Sequence, residues 1–166
     1  MNQRAYLKLL IETVPGYRGY ETIEGKTATD ALLREKCSVC MNKAKINLNQ
    51  CRSQLISSMG SDRSEMKIIS GLINLSKEVF MEIMGDFESD LPEVKDVRGR
   101  ERLYELDRNL LELAAQLEHL SYEILSHLIA AEEIDYGERE MFLQRGLSNF
   151  RELWEEREAL LRKLLY

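Results

Sequence analysis

The chain has 166 residues, of which 44% are hydrophobic and 31% charged, and its net charge is −6. With nine glycines and two prolines, this composition excludes a collagen-like or low-complexity protein and argues against a many-turned β fold. No apolar run reaches the roughly 18 residues of a membrane-spanning helix, and Lys8 and Glu12 interrupt the first apolar stretch, so we expect no membrane span, no signal peptide and a cytoplasmic location.

The first predicted element is a short helix over residues 3–13. It ends at Pro15-Gly16, because proline disfavours helix at the residue before it and glycine permits a positive φ. The corner Tyr17-Arg18-Gly19-Tyr20 follows. We expect Gly19 to adopt a backbone conformation that side chains resist.

Two long amphipathic helices are predicted next. The second helix begins between residues 21 and 29 and ends near Met59, and the third begins at Asp62, which can form a capping box with Glu65. Both carry apolar residues at alternating steps of three and four, which places those residues on one face. A break at residues 88–92 ends the third helix.

The fourth helix has the clearest period, because apolar residues recur at steps of three and four from Leu103 to Ile134. A second apolar stripe lies beside the first, and the two together are wider than a two-helix contact requires. We therefore expect this helix to be central in the fold or to contact a second chain. The second stripe consists of Tyr104, Leu111, Ala115, Tyr122, Leu125 and Ile129.

A corner at Asp135-Tyr136-Gly137-Glu138 separates the fourth helix from a fifth, whose apolar stripe Arg157 interrupts. The alternative is one continuous helix over residues 100–165, since a glycine within a helix costs only about 1 kcal/mol. Four long helices joined by short corners, after a short first helix, predict an all-α antiparallel bundle in a single domain over residues 1–166.

The charge is unevenly distributed along the chain. Residues 1–60 carry nine Lys/Arg and five Asp/Glu, whereas residues 61–166 carry fourteen and twenty-four. These two parts could pack together and partly cancel their fields, or the first part could offer a basic surface to an anionic partner. Because the basic residues are scattered and the whole chain is acidic, we expect no nucleic-acid partner.

Cys37, Cys40 and Cys51 are the only cysteines. A structural zinc site needs four ligands, and a redox Cys-x-x-Cys motif opens a helix after a strand, whereas this motif lies in mid-helix. We interpret the three thiols as core residues, with a metal or redox site as the alternative.

His119, Glu123 and His127 are spaced four residues apart along one helix, as in some metal sites. Carboxylate sites in helical bundles use Glu-x-x-His, a spacing that these residues lack. His127 also lies on the main apolar stripe. They remain candidate metal ligands, and we predict no cofactor.

No phosphate-binding loop, dinucleotide fingerprint or nucleophile elbow is present in the sequence. We therefore predict no catalytic residue, and an enzyme is not the favoured class.

Tyr17, Arg18 and Tyr20 are candidate interaction residues, because aromatic rings and arginine are frequent binding anchors. The alternative is structural, with both rings covering the open end of the bundle. Leu111, Tyr122 and Leu125 are the candidate interaction residues of the fourth helix.

The runs Pro15-Gly16-Tyr17-Arg18-Gly19-Tyr20 and Asp30-Ala31-Leu32-Leu33-Arg34 resemble the opening of a family of uncharacterised prokaryotic helical proteins. That opening reads Pro-Gly-Tyr-x-Gly-Tyr before a charged helix, and residues 103–111 are similar to a later helix of the family. The sequence departs from the pattern after Glu24. The resemblance implies a prokaryotic cytoplasmic protein and supplies no catalytic residue.

These observations favour a non-enzymatic helical module that acts through a protein partner or through a second copy of itself as a homodimer. The alternative is a metal- or redox-binding helical bundle.

Overall fold

A computed structural model describes residues 3–58, 63–85, 94, 96–130 and 136–163, which contain helices and the segments that border them, and no β-strand. The predicted all-α fold is therefore confirmed. Among the described helices, none is long and apolar enough to cross a membrane. The five helices are α1 (Gln3–Thr13), α2 (Ile23–Ser58), α3 (Arg63–Ile83), α4 (Val97–Ala130) and α5 (Tyr136–Lys163).

The starts of two long helices have side-chain caps. Thr22 Oγ1 accepts a hydrogen bond from the backbone N–H of Gly25 (3.0 Å) at the start of α2. Asp96 accepts from the N–H groups of Arg98 (3.2 Å) and Gly99 (2.9 Å) at the start of α4. These caps satisfy N–H groups that have no partner inside the helix. The predicted cap at Asp62, the break at residues 88–92 and Asp135 lie outside the described residues.

The helices form two hairpins, α2–α3 and α4–α5, that lie side by side. α2 packs on α3 and α4, and α5 packs on α4 and α3. Within each hairpin the helices are antiparallel. For example, Arg139 pairs with Glu123, whereas Arg157 pairs with Asp107 further back along α4. The predicted separation of the fourth and fifth helices is thereby confirmed. The predicted corner is misplaced, because Tyr136, Gly137 and Glu138 belong to α5.

α2 and α4 are neighbours that run in the same direction. Lys43 contacts Glu118 and Asn47 contacts Ser121, at separations of 75 and 74 residues, so the two helices advance together. The bundle therefore contains parallel as well as antiparallel neighbours. Its order around the core is α2, α3, α5, α4, which leaves α2 and α5 at opposite corners. Within the described ranges, these two helices have no Cα atoms within 8 Å of each other.

α4 is the central helix, because it packs against α1, α2 and α5. From Leu110 onwards its apolar stripe belongs to the main core, whose members come from α2 to α5. α5 approaches α4 closely at Gly146, where an added Cβ would lie 2.6 Å from Cδ2 of Leu117. A second core cluster lies at the α1 end of the bundle and contains Leu10, Tyr17, Tyr20, Val94, Leu103, Tyr104 and Leu161.

Candidate functional site

The turn between α1 and α2 depends on two glycines in the left-handed region, Gly16 at φ 93° and Gly19 at φ 78°. The prediction for Gly19 is confirmed. An added Cβ there would lie 2.9 Å from the hydroxyl oxygen of Tyr104. Thr29 Oγ1, on the first turns of α2, accepts hydrogen bonds from the N–H of Arg18 (3.1 Å) and of Gly19 (2.9 Å). The turn is thus held against α2 as well as α4.

Both tyrosines of this corner lie inside the protein. The hydroxyl groups of Tyr17 and Tyr20 donate to the same carboxylate oxygen of Asp107, at 2.6 and 2.5 Å. Their rings pack against Tyr104, with ring centroids 6.3 and 5.7 Å away. Of the three corner residues that sequence analysis named as interaction candidates, the structure leaves only Arg18 exposed.

Arg157 of α5 is the centre of this buried region. It is fully buried, and its Nε donates to Asp107 (2.8 Å), while Nη1 donates to Asp30 (2.7 Å). Its Nη2 donates to the Tyr20 hydroxyl at 2.8 Å. Since α5 and α2 lie at opposite corners, the Arg157 side chain spans the interior of the bundle. We call Tyr17, Tyr20, Asp30, Asp107 and Arg157 the buried polar centre.

Burial sets the protonation of the buried polar centre. It raises the pKa of Tyr17 and Tyr20 well above the ordinary value, and the Asp107 carboxylate raises both further, against an opposing effect of Arg157. The phenols therefore stay neutral and donate hydrogen bonds. Burial opposes the charge of Arg157, but Asp107 and Asp30 outweigh it, and the pKa of the guanidinium is raised.

A second arginine extends the network towards the surface. Arg34 Nε donates to Asp30 at 2.8 Å, and its Nη2 pairs with Glu158. The Cζ atoms of Arg34 and Arg157 lie 5.2 and 5.4 Å from the centre of the Trp154 ring. Each side-chain nitrogen of Arg157 and each carboxylate oxygen of Asp107 has a partner, so the arrangement fastens α2, α4, α5 and the turn together.

Sequence analysis missed Asp107 and Arg157, and it interpreted Arg157 as an interruption of the apolar stripe. The sequence signal that could have revealed them is their position within the apolar stripes of the two helices. Asp107 lies four residues after Leu103 and three before Leu110, and Arg157 lies at core spacing from Trp154. Charges of opposite sign at core positions of two helices indicate a buried ion pair.

The candidate metal and redox residues do not converge. In the parts of the chain that the structure describes, no group of three or more His, Cys, Asp or Glu side chains could hold a metal ion. His119 and Glu123 approach to 3.4 Å on the surface of α4. Burial raises the pKa of Cys51 to about 12 and, with help from Glu118, that of Cys40 to about 11. It raises the pKa of Cys37 as well.

The outer surface of the α2–α4 pair carries an open groove. It is lined by apolar and charged residues of both helices, and Ile46 and Tyr122 are 45% and 58% exposed. Val39 lies on the same face of α2, two turns before Ile46, and is 47% exposed. We call this feature the α2–α4 groove. Its lining residues are Lys43, Ile46, Asn47, Ala115, Glu118, His119 and Tyr122.

The other two candidates of α4 lie deeper than Tyr122. Leu111 is half-buried and packs against both core clusters, and Leu125 is only 5% exposed and belongs to the main core. Tyr122 is therefore the member of that set whose ring faces solvent.

α1 and the following turn cover the same face at its other end. α1 packs on α4, and Leu32 of α2 and Leu111 of α4 are partly buried against the cluster that contains Leu10 and Tyr17. The α2–α4 groove begins where this cover ends. One face of the α2–α4 pair is thus occupied by a helix at one end and open at the other.

The chain matches no family model, no curated protein and no solved structure.

Proposed function

We propose that the protein is a helical interaction module that binds a protein partner through the α2–α4 groove. The observation that carries the proposal is the exposure of Ile46 and Tyr122 on facing walls of one groove. Contiguous exposed apolar residues with a charged border are typical of binding surfaces. Tyrosines that become buried in an interface frequently contribute much of the binding energy.

The packing of α1 on α4 supports this proposal. α1 is a short helix whose Leu10 is buried in the cluster that covers the far end of the α2–α4 pair. Helices commonly bind in apolar grooves through residues spaced three and four apart. A partner helix that follows the open groove would extend the cover that α1 begins.

The buried polar centre supports the module without forming part of its binding surface. It fastens the turn and three long helices, so the outer face is presented by a rigid scaffold. The resemblance to prokaryotic proteins with a Pro-Gly-Tyr-x-Gly-Tyr opening adds a proposed setting, the cytoplasm of a prokaryote. Because Tyr17 and Tyr20 are internal, that motif is explained by folding.

Photo-cross-linking in cells of the source organism tests the proposal. A photoreactive phenylalanine analogue is placed at Ile46 or at Ala115, inside the groove, and at Glu152, an exposed position on α5. We expect one adduct of defined mass from both groove positions and none from Glu152.

The control is a second substitution. Tyr122→Glu in the Ile46 cross-linking chain should abolish that adduct, whereas Phe142→Glu, at an exposed aromatic residue of α5, should preserve it. Equal cross-linking from Glu152, or an adduct that survives Tyr122→Glu, contradicts the proposed function.

A further inference from the structure

We infer that the partner in the α2–α4 groove is a second copy of this chain, placed so that α2 of each copy lies on α4 of the other. This inference rests on the proposed function and names its partner. It is carried by the charges of the two walls, by their parallel direction and by the matched heights of their apolar residues.

The two walls of the groove have opposite charge. Lys43 lines the α2 wall and Glu118 the α4 wall, with Lys36 and Glu112 two turns before them. Other charges of these helices contact α3 and α5, because Lys45 lies over the Phe80 ring and Glu123 pairs with Arg139. Lys43 and Glu118 already pair across the groove at 2.9 Å. Lys36 and Glu112 are also exposed to solvent, where Glu112 pairs with Arg108 of its own helix at 2.7 Å. One face thus presents a basic half and an acidic half side by side.

A two-fold axis along the groove makes this face complementary to itself. Because α2 and α4 are parallel, such an axis puts the basic α2 opposite the acidic α4 of the partner copy, twice. An axis perpendicular to the groove would instead put basic on basic and acidic on acidic. Charge complementarity selects between such arrangements, since like charges brought together cost several kcal/mol.

The apolar residues of the two walls lie at matching heights. The hydrogen-bonded pairs between α2 and α4 are separated by 74 and 75 residues, so Ile46 is level with Tyr122, and Val39 is level with Ala115. With α2 on α4 of the second copy, the larger side chains of one wall meet those of the other. Because the axis runs along the groove, α1 of both copies lies at the same end of the dimer. The two faces therefore diverge at that end, and the contact is confined to the open half that contains these residues.

Charge exchange between two versions of the chain tests the inference. One version carries Lys36→Glu and Lys43→Glu, and the other carries Glu112→Lys and Glu118→Lys. Self-association of each purified version, and of their equimolar mixture, is measured by light scattering and sedimentation across micromolar concentrations. Circular dichroism and thermal unfolding establish that both versions retain the fold.

We expect wild type to self-associate, each version alone to associate at least about tenfold more weakly, and the mixture to regain dimers. Mixing restores both contacts, because the acidic α2 of one version meets the basic α4 of the other. Undiminished dimers of either version alone overturn this arrangement, because a contact of α2 with α4 would be weakened in both versions.

The result also separates this inference from the proposed function. If wild type stays at the mass of one chain at every concentration while the groove positions still cross-link to a different protein in cells, the second-copy inference fails and the interaction module stands. If no groove position cross-links and wild type is a monomer, both fail. An adduct supports both the inference and the proposed function if it has twice the mass of the chain, contains only this chain and is lost in the Tyr122→Glu variant.

Discussion

At the scale of single residues, the buried Arg157 side chain determines how the helices pack against one another inside the bundle. A buried guanidinium costs several kcal/mol of lost hydration, which its partners must offset. Here Asp107, Asp30 and Tyr20 accept hydrogen bonds from its three side-chain nitrogens, at distances of 2.7–2.8 Å. Because these partners come from α4, α2 and the turn, the network is complete only when all of them are in register.

Removing the guanidinium should leave buried carboxylates without their cation. We expect Arg157→Met to lower the free energy of unfolding by about 3–5 kcal/mol, measured by urea denaturation at neutral pH. The matched control is Arg162→Met, at an exposed position one turn further along α5, which should change stability by less than about 0.5 kcal/mol. Equal effects of the two substitutions would contradict a fastening role for Arg157.

Two glycines should respond in opposite directions to alanine. Gly19 has φ 78°, and its added Cβ would lie 2.9 Å from the Tyr104 hydroxyl, so Gly19→Ala should destabilise the fold by about 1–3 kcal/mol. Gly71 lies within α3, and its added Cβ would meet nothing within 4 Å, so Gly71→Ala should stabilise by about 1 kcal/mol. Thermal unfolding of both variants measures the contrast, and a stabilising Gly19→Ala would refute the strain at the turn.

At the scale of elements, the helices could be predicted because each one has a local sequence pattern. The 3–4 spacing of apolar residues marks each helix, and Pro15-Gly16 marks the end of the first. Their arrangement could not be predicted, because it depends on contacts between distant residues. Arg157 and Asp30, for example, are 127 residues apart. A charge within an apolar stripe therefore indicates a buried pair only when a charge of opposite sign occupies a core position of another helix.

The depth of α4 residues gives a prediction for that helix. Leu125 is 5% exposed and Tyr122 is 58% exposed, although both belong to one sequence stripe. Leu125→Glu should therefore reduce helical circular dichroism, because it places a charge in the core. Tyr122→Glu should retain the helical signal and lower the self-association. The reverse pattern would place the core on the other side of α4.

At the scale of the whole molecule, the two ends of the α2–α4 face differ, because one end is packed inside the protein and the other is open to solvent. The end that α1 covers lies over the buried polar centre, where hydrogen bonds determine the register of the long helices. The open end exposes apolar residues between walls of opposite charge. A partner would therefore bind to a surface that is already ordered, which lowers the entropic cost of association.

The stability of the molecule should fall at alkaline pH. Burial raises the pKa of Cys51 to about 12 and also raises those of Tyr17 and Tyr20. Each group is neutral when protonated, so a raised folded-state pKa means that the folded state holds its proton longer than the unfolded state. The stabilisation is complete below the unfolded pKa values, about 8.5 for thiols and 10 for phenols, and is lost as pH rises above them.

Urea midpoints measured from pH 7 to 11 in reducing buffer check this dependence. Above about pH 8.5, each fully buried thiol should contribute a loss of about 1.4 kcal/mol per pH unit until its folded pKa is reached. Cys51→Ala lowers stability at pH 7 through lost volume, but its decline with pH should be shallower than that of wild type by the contribution of one thiol. Parallel declines would show that Cys51 titrates equally in both states, and hence that this part of the core admits water.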